Sequence, residues 1–279
     1  MIMGGIPFYL RQLSPDLTFS ENIDAVFFKQ RGALWDEYDH LYASLFNSPE
    51  PYLQIVEALS KKRKGLTRGE IAKDTKITDS GTLTKILKNL CGSDFIQAYN
   101  YFGNNKKNTL YRLIDFYTLF YNRFIKEHYG KDQSYWTRTL GSPSHNTWTG
   151  LAFENLCLQH IPQIKEHLGI SGILCESSSW FLKTENGERG AQIDLVIDRS
   201  DNVINLCEMK FAKDEYEISR DDEENLRHKV SAFQKHTKTR KALHLTMVTT
   251  YGVKRNIYSD IAQSQVILEQ LFTPTDQLL

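Results

Sequence analysis

Two carboxylates and a lysine set the chemistry open to this chain. Asp194 lies in Gln192-Ile-Asp-Leu-Val-Ile197, and thirteen residues separate it from Glu208-Met-Lys210. The stretch 203–211 is apolar at Val203, Ile204, Leu206, Cys207, Met209 and Phe211, the pattern of a strand covered on both faces. Side chains alternate along a strand, so Glu208 and Lys210 share a face, roughly 6.6 Å apart. Opposite charges on such a face are costly unless they pair or bind something. The interval from Asp194 suits one strand, the polar turn Arg199-Ser-Asp-Asn202 and a return strand. Asp194 and Glu208 would then converge on adjacent strands. Two acids and one lysine at a strand end suit metal-assisted phosphodiester hydrolysis. The acids would hold Mg²⁺ (or Mn²⁺), the ion would acidify a water, and the lysine would orient that water or neutralise charge. Glu154, in Gly150-Leu-Ala-Phe-Glu-Asn155, would add a third acid from the preceding helix. A lone Glu-x-Lys is common on solvated strands; the spacing to Asp194 and the apolar surroundings make this one informative.

The elements that must position these groups follow from periodicity. A helix is expected over 148–160, strands over 173–183, 192–198 and 203–211, and a helix over 222–236. A strand over 242–250, a short helix over 257–264 and an apolar run over 266–272 complete the segment. The order αβββαβ is that of an α/β domain. Upstream, helices are expected over 52–60, after a Thr67-Arg-Gly-Glu70 capping box, and over 80–90. Strands at 95–102 and 109–113 would flank a polar turn. Helix, helix, helix, hairpin is the order of a winged helix-turn-helix. Its third helix would present Ser80, Thr82, Lys85, Lys88 and Asn89 to a major groove, with Lys106 and Lys107 at the wing tip suited to phosphates. A winged helix used only for protein contact would leave the same lysines solvated. Residues 1–49 read as two helices, with Ser20 as a cap. The aromatic stripe Phe116, Tyr117, Phe120, Tyr121 and Phe124 reads first as core packing.

The chain has 279 residues, with 34 Lys+Arg balanced by 34 Asp+Glu. A neutral total excludes a uniformly basic nucleic-acid binder, but local sums differ. Residues 50–115 carry 12 basic and 7 acidic residues, and 151–279 carry 15 and 19. The basic surplus falls on the expected DNA-binding segment and the acidic one on the carboxylate cluster. At 41% hydrophobic and 24% charged residues, wholesale disorder is excluded. Cys91, Cys157, Cys175 and Cys207 form no Cys-x-x-Cys pair. No leader and no ~18-residue apolar run are visible, so a cytoplasmic, membrane-free protein is expected.

The Asp194/Glu208/Lys210 pattern resembles the PD-(D/E)xK nuclease superfamily, with its restriction-endonuclease-like α/β fold. Gly4-Gly-Ile-Pro-Phe-Tyr-Leu10, the run Tyr111-Arg-Leu-Ile-Asp-Phe-Tyr, Gly150-Leu-Ala-Phe-Glu154 and Leu245-Thr-Met-Val-Thr-Thr-Tyr-Gly252 extend the likeness over the whole chain. They resemble an archaeal-type family of prokaryotic P-loop ATPases whose core is followed by a winged helix and a nuclease-like domain of the DUF234 type. The resemblance implies four segments: a helical lid remnant (1–49), a winged helix-turn-helix (50–115), an aromatic linker helix (116–136) and a nuclease-like domain (137–279). It implies Asp194 and Glu208 as metal ligands, Lys210 as the catalytic lysine and Glu154 as an accessory acid. No Gly-x-x-x-x-Gly-Lys-Ser/Thr loop occurs, so no ATP site is expected in this chain. The implied partners are DNA and an ATPase core, which is in cis in relatives and could be in trans here. Two alternatives stay open: a non-catalytic docking or regulatory module of the ATPase, and a transcriptional regulator acting through the winged helix.

Overall fold

A computed structural model describes residues 1–103, 109–184 and 189–272. The fold is mixed α/β and divides into two units. One comprises residues 1–99 and 105–148, the other 100–104 and 149–279. Apart from residues 100–104, the first three expected segments share one unit, and the main division falls at 148/149.

In the first unit, helix α1 (Phe19–Ile23) runs on into a wider turn, Asp24–Phe28. Thr18, not Ser20, caps it: Thr18 is extended, accepts the Glu21 N–H, and has Glu21 three residues on to close the capping box. Ser20 lies within the helix. Helices α2 (Glu37–Leu45) and α3 (Glu50–Ser60) follow; Pro49 and Pro51 open the latter, where their missing N–H groups cost nothing. Strand β1 (Leu66–Thr67) leads into α4 (Arg68–Thr75), with Thr67 and Glu70 forming the expected box. Helix α5 (Gly81–Gly92) buries Leu83, Ile86, Leu87 and Leu90 at helical spacing. Strands β2 (Ile96–Tyr99) and β3 (Leu110–Leu113) pair antiparallel, and the two-residue β1, not foreseen, adds to the far side of β3. Gly65, before β1, sits at φ 71° with its Cα against the Tyr111 carbonyl, where any Cβ would collide.

Helix α6 (Phe116–Phe120) continues into a wide turn, Tyr121–Ile125. Tyr117, Phe120 and Phe124 are buried among Phe27, Trp136 and Trp148, with ring centroids 5.1–5.8 Å apart. The aromatic stripe is thus core. Asp24 is buried beside it and accepts the N–H groups of Trp136 at 2.8 Å and Thr137 at 3.0 Å.

The second unit is built on a five-stranded sheet. Helix α7 (Pro143–Gln159) and α8 (Ile161–His167) precede β4 (Cys175–Leu182), β5 (Ala191–Arg199) and β6 (Val203–Lys210). Helix α9 (Arg220–Thr237), β7 (Ala242–Thr249) and β8 (Ser264–Ile267) follow. The spatial order equals the chain order, β4 to β8. The first three strands form an antiparallel meander; β6, β7 and β8 run parallel. The parallel step from β6 to β7 needs a crossover, which α9 supplies. Instead of the expected helix over 257–264 there is only a single 3-10 turn, Ser259–Ile261, because Ser264 is already the first residue of β8.

Strand β6 is central and covered on both faces. Cys207 and Met209 pack with Phe153 and Cys157 of α7, while Ile204 and Leu206 pack with Leu226 and Phe233 of α9. Among the described residues no helix is long and apolar enough to cross a membrane.

Candidate active site in the second unit

The sheet topology brings Asp194 and Glu208 onto neighbouring strands. The β5–β6 ladder runs from Asp198↔Ile204 to Leu195↔Cys207 and stops there. Asp194 is the next residue on β5. Its Oδ2 accepts the Met209 N–H of β6 at 3.2 Å, so a side chain takes over a backbone donor where the strands part. Its Oδ1 has only a weak contact with the Gln192 amide, at 3.5 Å.

Glu208 alternates with Leu206 and therefore faces α9. Its carboxylate is held by two lysines. Lys210 Nζ lies 3.1 Å from Oε1, and Lys229 Nζ of α9 lies 2.7 Å from Oε1 and 2.6 Å from Oε2. The side chain of Glu208 is 6% exposed and that of Lys229 14%, whereas Lys210 is 35% exposed. The cluster meets solvent through Lys210.

The charges interact strongly. Burial pushes the Asp194 carboxyl up to about 8, helped by the negative charges of Glu208 and Glu154. Burial also raises the Cys157 thiol well above its usual value, again with Asp194 and Glu154 adding to the shift. Glu154 lies one turn before Cys157 on α7, so these shifts place its carboxylate in the same neighbourhood as Asp194. For Lys210, burial pulls the pKa down, but Glu208 and the Tyr216 phenol outweigh it and the net shift is upward. Lys210 is an ammonium at neutral pH. It can neutralise charge or hold a phosphate oxygen, but it cannot act there as a general base. Tyr216 is raised to about 12, mainly by burial, partly offset by Lys210 and reinforced by Asp222.

The donor set is all oxygen, which suits a hard divalent cation. Asp194 has an almost uncommitted oxygen, and its raised pKa reflects burial first and the nearby Glu208 and Glu154 carboxylates second. Yet among the described residues no group of three or more His, Cys, Asp or Glu side chains stands arranged to hold a metal. The hindrance is at Glu208, whose oxygens already face two ammonium groups. As they stand, the described residues form no metal-holding set, because Glu208 is already held by Lys210 and Lys229.

The spacing of Asp194, Glu208 and Lys210 carried enough signal to find them; Lys229 went unnoticed. A signal was present: Leu226, Lys229, Val230 and Phe233 form one i, i+3, i+4, i+7 stripe, and a lysine in an inward stripe asks for a buried partner.

In the first unit, Ser80, Thr82, Lys85 and Lys88 are exposed at and along α5. Asn89 is half-buried and donates its amide to the Tyr52 hydroxyl at 2.8 Å, so it ties α5 to α3. Arg68, not singled out beforehand, pins the start of α5: it reaches Asp79 Oδ1 at 2.6 Å, the Ser80 carbonyl at 2.8 Å and Thr84 Oγ1 at 2.8 Å. Lys106 and Lys107 lie outside the described residues.

No family model and no curated protein matches the chain. Among solved structures it is similar to protein VC1899 from Vibrio cholerae, at 13% identity and a TM-score of 0.30. The match covers 90% of this chain and 57% of that one, so the chain spans little more than half of VC1899. A likeness this slight bears on neither fold nor function.

Proposed function

We propose that this chain binds DNA and that its second unit is a PD-(D/E)xK-type nuclease domain of restriction-endonuclease-like fold, cutting phosphodiesters with Mg²⁺ or Mn²⁺. The observation that carries the reading is the meeting of Asp194 and Glu208 on adjacent strands, with Lys210 on Glu208 at the open side of the cluster. When bound, the cation would polarise a phosphoryl oxygen and lower the pKa of a water. Asp194 and Glu154, with Glu208 once freed, are the residues that would hold it. Lys210 would then offer its ammonium to the substrate's phosphate or to developing negative charge. The helices α3, α4 and α5 with the β2–β3 hairpin serve as a winged helix-turn-helix. Thr82, Lys85 and Lys88 face the duplex and Arg68 fixes the helix start. The natural partner is a P-loop ATPase core supplied by another segment or chain.

One observation favours a second reading. The double lysine clamp on Glu208 is what a non-catalytic docking module would show, with the ion pair kept for packing alone. Incubation of supercoiled plasmid with the chain and Mg²⁺ or Mn²⁺, beside Lys210→Ala, separates the two. The nuclease reading expects nicking that falls by about 10²-fold or more in the variant. No cleavage with any metal, or equal cleavage in the variant, leaves the docking module.

A further inference from the structure

The chain leaves β2 at Tyr99, and residues 100–104 belong to the second unit before the hairpin resumes in the first. Strand β4, on which they rest, lies at the edge of the five-stranded sheet. Its register on β5 slips between Ser178 and Trp180, so Ser179 has no partner on β5. Both backbone groups of Ser179 turn to the incoming segment instead. Its carbonyl accepts the Phe102 N–H at 2.8 Å, and its N–H donates to the Asn100 carbonyl at 3.3 Å, so that Tyr101 and Ser179 form a parallel bridge. An extended segment that joins a sheet edge by main-chain bonds and seats a side chain in a pocket is β-augmentation. The seated side chain is Phe102. Its ring centroid lies 4.9 Å from that of Phe233 on α9, and Trp180 of β4 lies 5.3 Å from the same ring. Trp180 and Phe233 are buried, and Phe102 packs half-buried against their cluster. The attachment is small: two main-chain bonds and one ring. It also carries a cost, because the Ser179 hydroxyl is shut from solvent with no hydrogen-bond partner among the described residues. Local attachments of this size open and close well below global unfolding.

We propose that Asn100–Phe102 is an autoinhibitory strap: docked on β4 and Phe233 it withholds the β2–β3 hairpin from DNA, and duplex binding requires it to leave. The inference rests on the DNA-binding reading of the winged helix and deepens it by giving that reading a control. A wing that meets a duplex offers its connecting segment to phosphates. Here that segment spends its main-chain groups on Ser179 and its ring on Phe233. The docked and duplex-bound states exclude each other, so the apparent affinity for DNA falls by the fraction of chains whose strap is free. The control needs neither a metal nor the Asp194–Glu208 cluster.

The test uses the full chain and a fluorescent, mixed-sequence DNA duplex, with anisotropy reading affinity and amide hydrogen exchange reading the strap. The proteins are wild type, Phe102→Ala and Phe102→Leu, each first checked for a cooperative thermal melt. Phe102→Ala removes the anchor and should bind the duplex about tenfold more tightly. Phe102→Leu keeps an apolar anchor and should stay within about threefold of wild type. Equal or weaker binding by Phe102→Ala overturns the proposal. A second measurement needs no variant. In wild type, the Phe102 and Ser179 amides should exchange faster when the duplex is saturating, while those of the β5–β6 ladder keep their rates. Unchanged exchange at both amides also overturns it. The two failures are separable. Duplex binding that Phe102→Ala leaves unaltered, with the Ser179 amide unmoved, sinks the strap and keeps the DNA reading. No duplex binding by any of the three proteins sinks the DNA reading, and the control with it.

Discussion

Each unit of this protein buries an aspartate, and the two are used in opposite ways. Asp24, in the aromatic core of the first unit, accepts two backbone N–H groups, from Trp136 at 2.8 Å and Thr137 at 3.0 Å. These donors satisfy one oxygen each, and they anchor the distant helix Tyr135–Thr139 onto the wide turn that follows α1. Asp194, in the second unit, accepts one backbone N–H at 3.2 Å and stands near two other carboxylates. Both are almost inaccessible, at 5% and 8% exposure, so burial does not distinguish them. Compensation does. A buried acid with its lone pairs filled by backbone donors is a structural fastener. A buried acid crowded by like charge is an unsettled site, and such sites are where perturbed groups and function meet.

The sharpest way to break this comparison is to remove each carboxylate in turn. Asp24→Ala should cost about 3–4 kcal/mol, since two charge-assisted bonds vanish and two N–H groups are left without acceptors. Denaturant unfolding measures this, and a loss below about 1 kcal/mol would mean that water replaces the carboxylate.

Asp194→Asn should behave differently. Its carboxyl titrates near 8 in the fold, through burial and then the charges of Glu208 and Glu154, and near 4 when unfolded. Between those values the folded chain holds the proton and the unfolded chain has lost it. Stability contributed by this group is therefore complete below about pH 4, falls as pH rises, and is gone above about pH 8. Thermal melts of wild type should show that decline, and Asp194→Asn should flatten it and be no less stable than wild type at pH 8. A steeper decline in the variant would contradict the assignment.

The smallest effect belongs to local structure. Thr67→Ala removes the α4 cap and should cost about 1 kcal/mol. It should leave Mn²⁺ binding in the second unit unchanged. A large change there would show that the units are energetically coupled.

Much of this was legible beforehand because the signals were local. The Thr67–Glu70 box, the buried Leu83/Ile86/Leu87/Leu90 face and the apolar run on β6 each follow from a short stretch with a short period. Thr18 displaced Ser20 as a cap because a cap is defined by an extended backbone and a partner three residues on, not by residue type alone. The strand β1 escaped notice because two residues carry no periodicity; only pairing with Leu110 and Tyr111 of β3 defines it. The run over 257–272 resolved into a 3-10 turn, β8 and a second 3-10 turn, Leu268–Phe272, because pairing with β7 claims Ser264–Ile267 for the sheet.

The sequence by itself determined that Asp194 and Glu208 could meet, since a strand, a four-residue turn and a return strand leave little choice of register. It determined too that Glu208 and Lys210 share a face, because alternation is a property of any strand. Only the tertiary structure decided what they meet. Lys229 comes from a crossover helix nineteen residues after Lys210. Its pairing with Glu208 depends on how α9 lies across the sheet, a matter of packing between Leu226, Phe233 and the β6 face. Packing of that kind is set by many weak contacts at once, and no single spacing in the chain encodes it.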